Sequence, residues 1–168
     1  MIVLVIAMKK NLEKTNVMRL LGQKKISFEA HSYDSSGTEG TKVAQLLGQE
    51  KERVFKTLVT ESNTKEHFVF VIPVAESLDL KKAAKSVGAK SIAMIKQKEL
   101  LPLTGYIHGG CSPVGMKKQF KTVFDETAQL YETIFVSAGK VGYQVEVSPL
   151  ELADLVGADF SDLIDLDH

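Results

Sequence analysis

A chain of 168 residues is long enough to bury a sizeable core, and 44% hydrophobic with 25% charged residues is the balance of a water-soluble globular domain, not of a disordered or fibrous one. Its 21 basic and 21 acidic residues cancel, so any contact with nucleic acid must come from a local patch and not from a global field. One cysteine excludes an intrachain disulfide and a multi-cysteine metal site and fits a reducing cytoplasm, and the four histidines show no metal-ligand spacing.

Residues 1–7 are apolar but too short to span a membrane and lack the basic start of a secretory signal. Two readings fit them: an extension ahead of a second start at Met8, or a short edge strand. Residues 10–25 read as a helix, with Val17, Leu20 and Leu21 on one stripe and Asn11 or Thr15 as its cap. Residues 26–33 alternate as a strand, 35–40 form a polar loop, and 41–47 a short helix closed by Gly48. Residues 53–60 are a β-branched and aromatic strand, and 61–66 a hairpin loop. Residues 67–73 are almost wholly apolar, which predicts a central strand covered on both faces. A helix over 80–87 stops at Gly88, a short strand follows over 91–94, and a helical turn over 96–103 breaks at Pro102. Strands over 121–125, 133–137 and 143–147 follow, the last two forming a hairpin around 138–142. Ser148-Pro-Leu-Glu151 is a capping box with proline at the first helical position, opening a helix that ends at Gly157. Residues 159–168 read as an acidic tail anchored by Phe160 and Leu163. Strands and helices interleave without strict βαβ alternation, so the fold class is α+β, a mixed barrel-like sheet surrounded by helices, with residues 8–168 as one domain.

Chemistry concentrates in Gly105-Tyr-Ile-His-Gly-Gly-Cys-Ser-Pro-Val-Gly115, followed by Lys117, Lys118 and Lys121. Such a segment is either a tight turn or a loop whose amides face a carbonyl or phosphate oxygen. Lys56 lies between Val54 and Leu58 on a strand. It is either a solvated residue with a buried stem or a charge held at the mouth of a cavity. Cys111 could act as a nucleophile only with a lowered pKa and a nearby base. His108 alone does not make that case, and a small loop-filling residue is the alternative. His31 and His67 read as packing or surface residues. No paired carboxylates, nucleophile elbow or Walker-type phosphate loop are present.

These pieces, in this order, resemble the YbaK/EbsC family, free-standing relatives of the editing domain of bacterial prolyl-tRNA synthetase. The resemblance is carried by Lys24-Lys-Ile-Ser-Phe28, Val54-Phe-Lys-Thr-Leu58, Leu78-Asp-Leu-Lys-Lys-Ala-Ala-Lys85, Gly88-Ala-Lys90, the stretch 104–118 and Ile134-Phe-Val-Ser-Ala-Gly-Lys140. It spans nearly all of residues 11–163, and within the family the chain is most similar to the Cys-tRNA(Pro) deacylase type. The resemblance implies a mixed sheet closing into a barrel-like core. It also implies a cytoplasmic, trans-acting deacylase that clears mischarged Cys-tRNA(Pro) without metal or organic cofactor, with aminoacyl-tRNA and prolyl-tRNA synthetase as partners. The family's lysine maps onto Lys56 and its G-x-x-x-P loop onto Gly109, Gly110, Cys111, Ser112 and Pro113. Its tyrosine maps onto Tyr33 and its late serine onto Ser137, with Gln144 in the substrate pocket. The loop backbone would polarise the ester carbonyl while the substrate's own thiol attacks it, leaving the Cys111 side chain a bystander. Two departures stand out: residues 37–40 form a shorter loop without an aromatic, and Gln144 replaces an aspartate. A deacylase for another mischarged tRNA such as Ala-tRNA(Pro), and a non-catalytic module that binds tRNA or the synthetase, therefore stay open.

Overall fold

The computed structural model describes residues 13–33, 48 and 50–167. The expectations for residues 1–7, for Asn11 as a cap, for the loop at 35–40 and for the helix at 41–47 lie outside them. Four helices are described: α1 (Asn16–Gln23), α2 (Leu80–Val87), α3 (Gln97–Thr104) and α4 (Pro149–Val156). Eight strands accompany them: β1 (Phe28–Ser32), β2 (Phe55–Ser62), β3 (His67–Pro73), β4 (Ile92–Met94), β5 (Lys121–Asp125), β6 (Ile134–Ser137), β7 (Tyr143–Val147) and β8 (Asp159–Ser161).

Helix ends follow their side chains. The Thr15 hydroxyl accepts the Met18 amide at 3.3 Å, and the Asp79 carboxylate accepts the Lys81 and Lys82 amides at 2.9 and 3.0 Å. At α4 the Ser148 hydroxyl accepts the Glu151 amide at 3.3 Å, with Pro149 at the first helical position. Pro102 does not break α3, which runs on to Thr104. Proline costs this helix one internal hydrogen bond near its end. The last turn is held instead by the Thr104 hydroxyl on the Leu100 carbonyl at 2.7 Å and by the Gly105 amide on the Leu101 carbonyl at 2.9 Å.

The strands form two sheets, β1-β7-β6 and β4-β2-β3-β5-β8. Within the second, β3 is central, antiparallel to β2 and parallel to β5. Alternation along β3 sends Val69 and Val71 into the main core with Val17, Met18, Leu21, Leu152 and Val156. Phe68, Phe70 and Ile72 go into a second cluster under Ala83 and Ala84 of α2. The all-apolar sequence of β3 thus has its cause in burial on both faces, as the sequence predicted.

The two sheets meet at one isolated parallel bridge, Val54 to Phe135. This joins β6 to the start of β2 and gives the core its barrel-like character without a closed barrel. A second segment departs from expectation: the acidic tail begins as β8, parallel to β5. Phe160 packs edge-on against Phe124 at 5.8 Å, and the buried Asp125 carboxylate accepts the Leu163 amide at 2.9 Å. Both partners lie more than thirty residues away in sequence.

Candidate active site

The Val54–Phe135 bridge sets the geometry of the site. Lys56 lies two residues beyond Val54 and Ser137 two beyond Phe135, so each shares the face of its own bridge residue. Ser137 pairs with Gln144, and Gln144 pairs with His31. Ser137, Gln144 and His31 thus form one row across β6, β7 and β1, and Lys56 lies on the same face of its strand as Val54. Val54 and Phe135 pack together on that face, with Tyr33 and Val74 against them. The fold therefore sets Ser137, Gln144 and His31 in one row and Tyr33 against the Val54–Phe135 pair, with Lys56 two residues along from Val54.

Each of these positions has its own electrostatic setting. Burial lowers the Lys56 pKa below its ordinary value, against the opposing field of the Glu76 carboxylate. Ser137 is nearly buried, and its hydroxyl accepts the Gly139 amide at 3.1 Å. Gln144 is 5% exposed, yet its carboxamide oxygen meets no hydrogen-bond donor among the described residues. A buried acceptor left without a donor costs about 1–3 kcal/mol, so this oxygen is an energetic debit of the unliganded fold.

Beside the row lies a network that spacing in the sequence gives no sign of. The Glu146 carboxylate accepts the Thr133 hydroxyl at 2.6 Å and Arg53 at 3.2 Å, and its other oxygen lies 3.2 Å from His31 Nε2. Arg53 lies over the Phe135 ring at 5.2 Å, and His31 packs against that ring at a tilt, its centroid also 5.2 Å away. Burial pushes the Glu146 carboxyl upward, but the hydrogen bonds from Thr133 and His31 and the charge of Arg53 outweigh it and hold it below the ordinary carboxylate value. Glu29, His31 and Glu146 have the side-chain spacing to hold a cation, but Arg53 already supplies positive charge there. The four residues come from β1, β7 and the turn before β2. Only the alternation of Glu29 and His31 on β1 was readable beforehand.

The glycine-rich loop packs against the β6–β7 turn that follows Ser137. Tyr106 closes it by donating its hydroxyl to the Val114 carbonyl, and the Ser112 hydroxyl accepts the Val114 amide at 3.2 Å. Gly110 lies against the β6–β7 turn: a Cβ there would meet Val141 N at 3.1 Å. Gly115 has φ +77°, and a Cβ would lie 2.9 Å from the Tyr106 hydroxyl. The Gly110 amide is not free to face a ligand, since it donates to the Ile107 carbonyl at 3.0 Å. The amides of Gly109, Cys111 and Ser112 meet no acceptor among the described residues. Pro113 is buried. The Cys111 side chain points into the main core, and burial pushes its thiol up to about 12, so it stays protonated.

A separate cavity of about 230 Å³ lies at the end of β3, lined by residues that include Lys51, Pro73, Glu76 and Tyr131. It shares Glu76 with the surroundings of Lys56 but not Ser137 or the loop. No helix among the described residues is long and apolar enough to cross a membrane.

The aminoacyl-tRNA editing domain model matches residues 37–155. EbsC of Enterococcus faecalis, which bears the provisional name Cys-tRNA(Pro)/Cys-tRNA(Cys) deacylase, is 45% identical over 159 residues, covering 94% of this chain and 97% of its own. The proline–tRNA ligase of Nautilia profundicola is 24% identical over 133 residues, which make up 77% of this chain and 23% of the ligase. A crystal structure described provisionally as a trans-editing enzyme for prolyl-tRNA synthetase superposes with a TM-score of 0.77 at 25% identity, covering 89% of this chain and 96% of that one.

Proposed function

Starting from the fact that the chain belongs to the aminoacyl-tRNA editing domain family, we propose that it is a trans-acting deacylase that clears cysteine from mischarged tRNA(Pro). What supports this reading is the Ser137–Gln144 pair, with Lys56 two residues from the bridging Val54, and a loop packed on the β6–β7 turn whose Gly109, Cys111 and Ser112 amides meet no acceptor among the described residues. An aminoacyl ester needs its carbonyl oxygen stabilised as negative charge develops. The amides of Gly109, Cys111 and Ser112 are suited to that task, and removing one such donor typically costs about 10²–10³ in rate. Lys56 binds the terminal ribose or its phosphate and fixes the ester against the loop. Tyr33, Pro113, Ser137 and Gln144 line the aminoacyl pocket.

The fold offers no activated nucleophile in this row, and the one thiol is protonated and turned into the core. The reading that fits is attack by the substrate's own side chain. The cysteinyl thiol loses its proton and forms a bond to its own carbonyl carbon. The ester C–O bond breaks, and the 3′ oxygen of the tRNA leaves with a proton. Selectivity then rests on substrate chemistry more than on pocket size, since one methylene gives only about 1–3 kcal/mol of discrimination. We place the protein in the cytoplasm, with prolyl-tRNA synthetase as the partner that delivers the charged tRNA.

The test is release of labelled cysteine from Cys-tRNA(Pro), run beside Ala-tRNA(Pro) and other mischarged tRNAs. Wild type should release cysteine, and Lys56→Ala should reduce the rate at least 10²-fold. Preference for another amino acid would move the substrate assignment, and hydrolysis undiminished in Lys56→Ala would reject the site.

A further inference from the structure

The charges of this neutral chain are not evenly spread. Nine lysines and a single acidic residue, Glu99, lie between residues 81 and 121, so the remainder of the chain is correspondingly acidic. Some of these lysines are neutralised locally: Lys82 bridges to Asp162 at 3.0 Å and Lys121 lies 3.7 Å from Asp159. Lys96, Lys98, Lys117 and Lys118 are exposed and form no ion pair among the described residues.

These four belong to one structural unit with the glycine-rich loop. Lys96 and Lys98 lie at the start of α3, an eight-residue helix about 12 Å long. Its other end is Gly105, where the loop begins. Lys117 returns to that point: its amide donates to the Thr104 carbonyl at 3.0 Å, and a Cβ on Gly105 would lie 3.3 Å from its side chain. Lys118 follows, with its ammonium 6.0 Å from the centre of the Phe120 ring. Lys117 and Lys118 therefore lie beside the start of the loop, with Lys96 and Lys98 one short helix away.

We infer that this strip is the electrostatic footprint of the tRNA, contacting the phosphates nearest its 3′ end. The inference rests on the deacylase reading and adds to it the surface that holds the polynucleotide. An ester seated at the loop is attached through its alcohol to a chain of phosphates, which must leave the loop across neighbouring surface. Uncompensated lysines beside the loop lower the free energy of those phosphates, while the acidic remainder of the molecule repels them. Lysine suits a contact that follows a backbone without reading sequence, because its ammonium is a mobile point charge and not a fixed fork.

The experiment measures binding of uncharged tRNA to the full chain by fluorescence anisotropy across a salt series, together with kcat and KM for cysteine release. The test variant is Lys96→Gln/Lys98→Gln/Lys117→Gln/Lys118→Gln. Lys14→Gln/Lys24→Gln, at exposed lysines around α1, is the control. Wild type should show a log–log salt slope that falls by about 0.7–0.9 for each lysine removed from a phosphate. The quadruple variant should lose at least tenfold in tRNA affinity and raise KM at least tenfold with kcat retained, and the control should match wild type. A slope and KM unchanged in the quadruple variant overturn the inference, as does an equal loss in the control. Retained tRNA affinity with loss only of stimulation by added synthetase assigns the strip to a protein partner and also overturns it. If wild type releases no amino acid but binds tRNA in this lysine-dependent way, the deacylase reading fails and the footprint stands.

Discussion

Replacing Gln144 with leucine should make the protein more stable and less active at once. The carboxamide is 5% exposed, and its oxygen has no donor among the described residues. Such an oxygen carries a desolvation penalty of about 1–3 kcal/mol that leucine, of similar size, does not. Part of that gain is lost because the branched side chain must repack against Ser137 and His31, leaving a net stabilisation of about 1–2 kcal/mol. For a chain of 168 residues, 1 kcal/mol corresponds to roughly 2–4 °C in Tm, so melting should rise by about 3–6 °C in a calorimetric scan. Cysteine release from Cys-tRNA(Pro) should fall at least tenfold, because the acceptor that the unliganded fold leaves unmatched would no longer meet its substrate. A lower Tm would show that the fold supplies a donor to this oxygen. An unchanged rate would remove Gln144 from the site.

Cys111 should react with iodoacetamide at pH 8 about 10³-fold more slowly in the folded protein than in urea, because its thiol is pushed up to about 12 from an ordinary value of 9.0. Mass spectrometry of timed samples reads this directly, and comparable rates would contradict its burial. Cys111→Ala should keep cysteine release within a few-fold of wild type, since its protonated thiol lies in the main core. Gly110→Ala should cost about 1 kcal/mol of stability and a larger share of activity, since the added Cβ would meet Val141 N at 3.1 Å and lift the loop off the β6–β7 turn. Equal activity by the same release measurement would separate the loop's position from catalysis. Glu146→Gln tests the network around Arg53. A carboxyl held low in the folded state adds stability above its unfolded value and loses it as pH falls through the folded one. The wild-type Tm advantage should therefore be full near pH 7 and fade below about pH 4.5, and a gap constant with pH would refute the pairing.

What could be read in advance was whatever rests on local chemistry. The unbroken apolar run at 67–73 required cover on both faces, and β3 has it. Asp79, Ser148, Gly88 and Gly157 carry their own capping geometry, so α2 and α4 begin and end where the sequence puts them. Lys56 was suspect because a cation among apolar neighbours on a strand needs a reason. What escaped the sequence depends on distant partners. Residues 159–161 become a strand because Phe124 and Asp125 receive Phe160 and Leu163. Pro102 looked like a helix breaker because the hydroxyl of Thr104, which holds the final turn, has no signature of its own. Arg53, Glu146 and His31 meet only through strand register, and the Gly110 amide is used up by a turn with Ile107 that glycine content alone does not reveal.

The contact between the two sheets bears on how firmly they are spaced. Elsewhere, neighbouring strands are held at fixed spacing by runs of backbone hydrogen bonds, but Val54 and Phe135 meet in an isolated bridge. At that seam a single bridge is backed by the packing of Val54, Phe135, Tyr33 and Val74. A methyl group added or removed there should shift the two sheets against each other while leaving each ladder in register. The seam is thus the place where the two sheets can be re-spaced without breaking a strand pairing.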